Sequence, residues 1–272
     1  MKYLSLTTLL LALTIQSCQN NTQVNKTIPT DSVTTTTGDI TTPTTTKPNN
    51  LKNSTPVGSI VMIDTYRIYE EAEDPSKILN KNWFDLYEEN GQYYLAKVDY
   101  KIEDGYSECA GVPTKSVISK RNSMLFLNFP FLKAGKIENL KITQAEIWPK
   151  ETVIYNFNNQ KYQLKGYGDI LGTQVRSNDQ GREEVFHEVK NYKLTYSYNG
   201  SSEANMIQEE QFNDTFIKTL FVGDIDRDGK LDFIISKPTN YEENSIMLIL
   251  SSQIKENNIQ KNSFQQSVQF DC

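Results

Sequence analysis

Residues 83–103 read WFDLYEENGQYYLAKVDYKIE, two runs of alternating apolar and polar residues on either side of Asn90-Gly91. Asn-Gly accepts positive φ at both central positions of a type I′ turn, so the stretch predicts a tight β-hairpin. With a two-residue loop, Tyr87 faces Tyr94 and Trp83 faces Val98 on one side, while Leu86 faces Leu95 on the other. Apolar groups on both faces predict a hairpin inside a sheet that is packed on both sides.

The same alternation extends outward. GSIVMIDTYRIYEE (58–71) reads as a first strand, and TVIYNFNNQKYQLKGYGDI (152–170) as a second hairpin turning near Asn158-Asn159. VFHEVKNYKLTYSY (185–198) reads as a further strand that places Tyr192, Leu194, Tyr196 and Tyr198 on one face. That stripe is read as a half-buried sheet face in preference to an aromatic binding platform. SMLFLNFPFLKAG (123–135) is the most apolar stretch, and Pro130 predicts that its strand ends, bulges or lies at an edge there. One short helix is expected around DPSKILNKNWF (74–84), and a turn near NMIQEEQFNDTF (205–216). The fold class expected is all-β with a minor helix: a single antiparallel β-rich domain over residues 58–272, sandwich or barrel-like.

The chain has 272 residues, 37% hydrophobic and 11% aromatic, enough to bury a substantial core. Its formal net charge of -6, with no basic stripe, predicts no nucleic-acid partner. Residues 1–17 carry one cation at Lys2 and an apolar run from Leu4 to Ile15 that is too short to cross a bilayer, so they read as a secretory signal peptide. Ile15-Gln16-Ser17-Cys18 at its end resembles a bacterial lipobox. The resemblance implies that Cys18 becomes the lipidated N-terminus, anchoring the protein to a membrane of the bacterial cell envelope, with the outer membrane as the expected site. The alternative is ordinary cleavage and free secretion.

Residues 18–57, rich in Thr, Pro and Asn and without aromatics, are expected to form a disordered tether, because they cannot offset their own ordering entropy. Cys109 and Cys272 remain, in a compartment where disulfides persist. A Cys109–Cys272 bridge is the expectation, and two separate buried thiols are the alternative.

The stretch with a chemical signature is GDIDRDGKLDFIIS (223–236). Asp224, Asp226 and Asp228 occupy positions 1, 3 and 5 of a calcium loop, Gly229 the sharp bend at 6, Lys230 position 7 and Asp232 position 9. Alternate side chains of such a loop turn inward, and their carboxylates repel one another until a hard divalent cation neutralises them. Ca2+ suits this set better than Mg2+, which demands a tight octahedron. Position 12 is Ile235 and the flanks are β-like, so the loop is not an EF-hand. VGDIDRDGKLDFII resembles the calcium loop of FG-GAP or VCBS-type repeats, and more loosely that of dockerins. The resemblance implies side-chain ligation by Asp224, Asp226, Asp228 and Asp232 and backbone ligation by Lys230. Arg227 stands where the family often has Gly. A single copy implies the metal site without the propeller of serial repeats.

No G-x-S-x-G, H-E-x-x-H or P-loop is present. His187, the only histidine, has no partner for zinc and reads as a surface or packed residue. The adjacent acids Glu70-Glu71, Glu183-Glu184 and Glu209-Glu210 point to opposite faces of a strand, so no pair makes a two-carboxylate site by itself, and all are read as solvated. The function expected is therefore a non-enzymatic, lipid-anchored envelope protein with a calcium-stabilised β domain and a role in binding, adhesion or structure, taking a protein or glycan ligand. The alternative is a carboxylate-dependent glycan or peptidoglycan hydrolase, which requires a cleft with a Glu/Asp pair far from the acidic loop.

Overall fold

The computed structural model describes residues 58–70, 74–177, 181–254 and 259–270. The leader, Cys18, the Thr-rich segment to Val57, Glu71 and Cys272 lie outside them, and so does the Cys109–Cys272 pairing. Strands β1 (Ser59–Met62) and β2 (Thr65–Arg67) are followed by helix α1 (Pro75–Ile78) and the hairpin of β3 (Phe84–Glu89) and β4 (Gln92–Lys97). Next come β5 (Tyr100–Ser107), β6 (Val112–Ser119), β7 (Ser123–Asn128), β8 (Gly135–Lys136) and β9 (Glu138–Asn139). An antiparallel run of β10 (Thr152–Phe157), β11 (Gln160–Ser177), β12 (Glu183–Tyr198) and β13 (Ala204–Gln211) follows. The chain finishes with β14 (Lys218–Asp224), β15 (Asp232–Ser236), β16 (Glu243–Ile249) and β17 (Phe264–Gln269).

These strands form four sheets, ordered β1-β7-β3-β4-β8, β2-β6-β5, β10-β11-β12-β13 and β17-β16-β15-β14-β9. The last is shared between two cores. Phe221, Ile234, Leu248 and Leu250 of this middle sheet and its end face a core built with the β1-to-β8 and β2-to-β6 sheets, whose own residues include Trp83, Leu86 and Phe126. Val222, Phe233, Ile235, Met247 and Ile249 face a second core with Tyr162, Tyr192, Leu194 and Ile207 of the β10-to-β13 sheet. Strict alternation across the pleat explains the continuous apolar runs FII and IMLI, as expected of strands buried on both faces. The fold is all-β, with each core a sandwich and the two sandwiches sharing one sheet.

The first hairpin has the expected register, Tyr87 opposite Tyr94 and Leu86 opposite Leu95. The tyrosine rings stack at 5.6 Å, and Asn90 and Gly91 take φ of 53° and 78°. Leu86 and Leu95 are buried on one face, while on the other Trp83 is buried and Tyr87, Tyr94 and Val98 are half-buried. The second hairpin turns through Asn158 and Asn159, again both at positive φ. β7 stops before Pro130, and α1 starts where Asp74 accepts a hydrogen bond from Ser76 N–H ahead of Pro75. Tyr192 and Leu194 are fully buried, so the stripe on β12 belongs to the core.

Three expectations are corrected. Residues 58–71 form two strands in different sheets, because Asp64 bends the chain: its Oδ1 accepts from Thr65 N–H at 2.7 Å and its Oδ2 from Asn244 Nδ2 at 2.9 Å. The segment 205–211 is part of strand β13, drawn into the sheet by pairing with β12. Glu209 is not simply solvated; it is the counter-ion, at 2.5 Å, of the buried Lys237.

If both faces of the middle sheet are core, neighbouring truncations should each destabilise through a different sandwich. Phe233→Ala is expected to cost about 3–5 kcal/mol and Ile234→Ala about 2–5 kcal/mol in urea unfolding. A sheet with one wet face would lose stability in only one of the two variants.

Candidate metal centre

β14 and β15 are antiparallel neighbours with Gly223 opposite Asp232, so residues 225–231 form the turn between them. Gly223 is required by close approach: a Cβ there would sit 2.4 Å from the Glu138 carbonyl oxygen of β9. Within the turn, Gly229 takes φ of +83° and Arg227 +62°. Arg227 therefore adopts the left-handed conformation that glycine would take without strain. Its guanidinium contributes something glycine could not, donating to the carbonyls of Ala134 and Lys136, each at 3.2 Å.

Asp224, Asp226 and Asp232 each offer a carboxylate oxygen, and these oxygens lie within 4.8 Å of one another. Asp232 is fully buried and Asp224 nearly so. Asp228 is not part of this convergence; its Oδ1 accepts from Lys230 N–H at 2.9 Å and its Oδ2 from Ser251 Oγ at 2.9 Å. Lys230 is exposed.

Backbone N–H groups orient the acids. Asp224 accepts from Asp228 and Gly229 N–H, both at 3.0 Å. Asp232 Oδ2 accepts from Ile225 N–H at 2.6 Å, and its Oδ1 from Ser251 N–H at 2.8 Å. Ser252 Oγ donates to Asp226 Oδ2, and Asn158 Nδ2 donates to the Gly229 carbonyl at 3.2 Å. Ser251, Ser252, Asn158, Ala134 and Lys136 are the participants that sequence reasoning missed. They come from the end of β16, the β10–β11 turn and the β8 region, with no local signature linking them to the turn.

The electrostatics point in one direction. Burial, followed by the charge of Asp226, pushes the Asp232 carboxyl well above the ordinary carboxylate range against the N–H bonds of Ser251 and Ile225. Burial also leads in raising Asp224 and Asp226, with neighbouring carboxylates adding to it. Among the described residues no lysine or arginine pairs with any of the four aspartates. Asp85, an equally buried carboxylate, has Arg121 at 3.1 Å. An oxygen-only set of three buried or half-buried carboxylates with no counter-charge fits a hard divalent cation.

The other singled-out residues lie elsewhere. His187 is packed, with Nδ1 2.8 Å from Thr173 Oγ1 and its ring edge-on to Trp148 at 4.9 Å. Cys109 Sγ lies 3.8 Å from an Arg67 guanidinium nitrogen. No family model, curated protein or solved structure matches the chain.

Because the folded-state pKa values of Asp224, Asp226 and Asp232 are raised, protonating them favours the ion-free fold. That contribution is complete below the unfolded carboxylate range and is lost as pH rises through the folded values. In ion-free protein, the wild-type melting temperature is expected to fall relative to Asp232→Asn as pH rises above the ordinary carboxylate range of about 4. Parallel pH profiles for the two proteins would show that the acids are not strained by burial.

Proposed function

We propose that this chain is an exported, lipid-anchored envelope protein whose β domain is held in shape by Ca2+ in the β14–β15 turn and serves a binding or adhesive role. The observation that carries the ion is Asp232: a carboxylate with no exposed surface, two further carboxylates converging on it and, among the described residues, no lysine or arginine paired with it. A desolvated, uncompensated charge of this kind destabilises a fold unless it is protonated or paired with a cation. Calcium supplies the charge and accepts irregular oxygen geometry, with Asp224, Asp226 and Asp232 as its carboxylate ligands and water completing the set. The likeness to an FG-GAP or VCBS-type loop supports the same assignment.

An ion here would act on more than one turn. The loop is tied to β8 through Arg227, to the β10–β11 turn through Asn158, and to the end of β16 through Ser251 and Ser252. Setting its shape therefore sets the meeting point of three sheets. Export and anchoring rest on the leader and the lipobox around Cys18, and the tether would hold the domain away from the membrane. Among the described residues no helix is long and apolar enough to cross a membrane.

Millimolar calcium is expected to raise the melting temperature, with about 2.7 kcal/mol of stabilisation when free ion exceeds its dissociation constant a hundredfold. Asp224→Ala and Asp232→Asn should each abolish the shift. Calorimetry without heat and melting without a shift would remove the ion from the reading. For the anchor, cells fed an alkyne-palmitate analogue should label the wild-type protein and not Cys18→Ser, and the variant should leave the membrane fraction. Equal labelling of the two would rule out Cys18 as the lipid site.

A further inference from the structure

A cleft of about 570 Å3 lies at the opposite end of the β14–β15 hairpin from the acidic turn, where Lys218 pairs with Ser236. The length of β14 separates the two sites by roughly 20 Å at the usual rise per residue. We propose that this cleft binds a neutral saccharide chain. The proposal names a ligand class and a place for the binding role proposed above, while standing on different residues from the ion.

Two large rings sit on the rim with more than half their surface exposed, Tyr241 at 57% and Phe270 at 53%. Such rings cost solvation unless something covers them, and the C–H face of a pyranose is a suitable cover. The rest of the lining mixes apolar groups, Val185, Phe186, Phe216 and Pro238, with polar ones whose charges are largely tied up. Arg176 lies over the Phe186 ring at 3.7 Å and donates to Asp214 at 2.7 Å. Lys218 pairs with Glu146 at 3.2 Å. Glu243 accepts from Thr239 N–H and Oγ, both at 2.7 Å.

The result is a wall of fixed donors and acceptors beside apolar rings, which complements a ligand carrying hydroxyl edges and apolar faces. Other ligand classes fit less well. A phosphate or other anion would meet Glu146, Glu184, Asp214 and Glu243 against only Arg176 and Lys218. A purely apolar ligand would desolvate those ion pairs without replacing their hydrogen bonds. The volume lies within the range of small-ligand pockets and accommodates a short oligosaccharide.

Among the acids that line the cleft, Glu243 is unsuited to the role of general acid. Burial raises the Glu243 carboxyl, but the Thr239 and Ser267 hydrogen bonds and nearby Lys237 more than offset it and hold it below the ordinary range. An acid kept ionised in this way cannot protonate a leaving group at neutral pH.

The test is saturation-transfer NMR and calorimetry with the calcium-loaded protein and four probes: cellotetraose, maltotetraose, N-acetylchitotetraose and a cationic glucosamine tetramer. At least one neutral probe should bind, and Phe270→Ala and Tyr241→Ala should each weaken it about tenfold. Ile154→Ala, an exposed change on β10 outside the cleft, should leave it unchanged. No binding by any neutral probe, binding of the cationic probe alone, or affinity untouched by both rim variants would overturn the proposal. Thermal shift with calcium and saccharide affinity are separate readouts, so either reading can fail while the other stands.

Discussion

The carboxylate of Asp232 joins the ends of three adjacent strands. It sits at the start of β15, accepts from Ile225 N–H just beyond β14, and accepts from Ser251 N–H just beyond β16. The middle sheet needs such a pin because both of its faces are apolar. In an ordinary half-exposed sheet, a one-residue slip drives apolar side chains into water and is heavily penalised. In β15 and β16 a slip would exchange one apolar residue for another, so the hydrophobic pattern alone specifies register weakly. A polar group that must stay at the sheet's end, in contact with both neighbours, supplies the missing specification.

That pin carries an electrostatic cost, and the turn is built around it. Local consistency would place neutral residues at the buried ends of β14 and β15, yet the chain places Asp224 and Asp232 there and orients them with backbone N–H groups. Proteins depart from local consistency mainly where function requires it. Arg227 shows the same logic on a smaller scale: it accepts a backbone conformation suited to glycine, and its side chain reaches two carbonyls of the β8 region. The end of the hairpin with the converging carboxylates and the end with the ring-lined cleft are the two polar extremes of an otherwise apolar element.

Much of the fold was legible in short stretches. Asn90-Gly91 and Asn158-Asn159 specify turns through their tolerance of positive φ, and the flanking alternation then dictates which residues oppose one another. Asp74-Pro75 marks a helix start for a similarly local reason. The misses share a different character. β13 has little alternation, with Met206 and Ile207 buried side by side, and it becomes a strand because β12 presents an edge to it. Glu209 looks like any surface acid until Lys237, buried on the approach to β16, is brought beside it.

The sequence by itself determined the β class, the hairpin registers and the presence of four aspartates at calcium-loop spacing, because each depends on residues a few positions apart. Tertiary structure decided that one sheet would serve two cores, and that Asp224, Asp226 and Asp232 would converge while Asp228 turned to Ser251. It also decided that rings from residues 241 and 270 would frame a cleft with β11 and β12. These outcomes depend on contacts between strands far apart in the chain. Their energies come from shared burial and from desolvated charge, and no local pattern of residues records either.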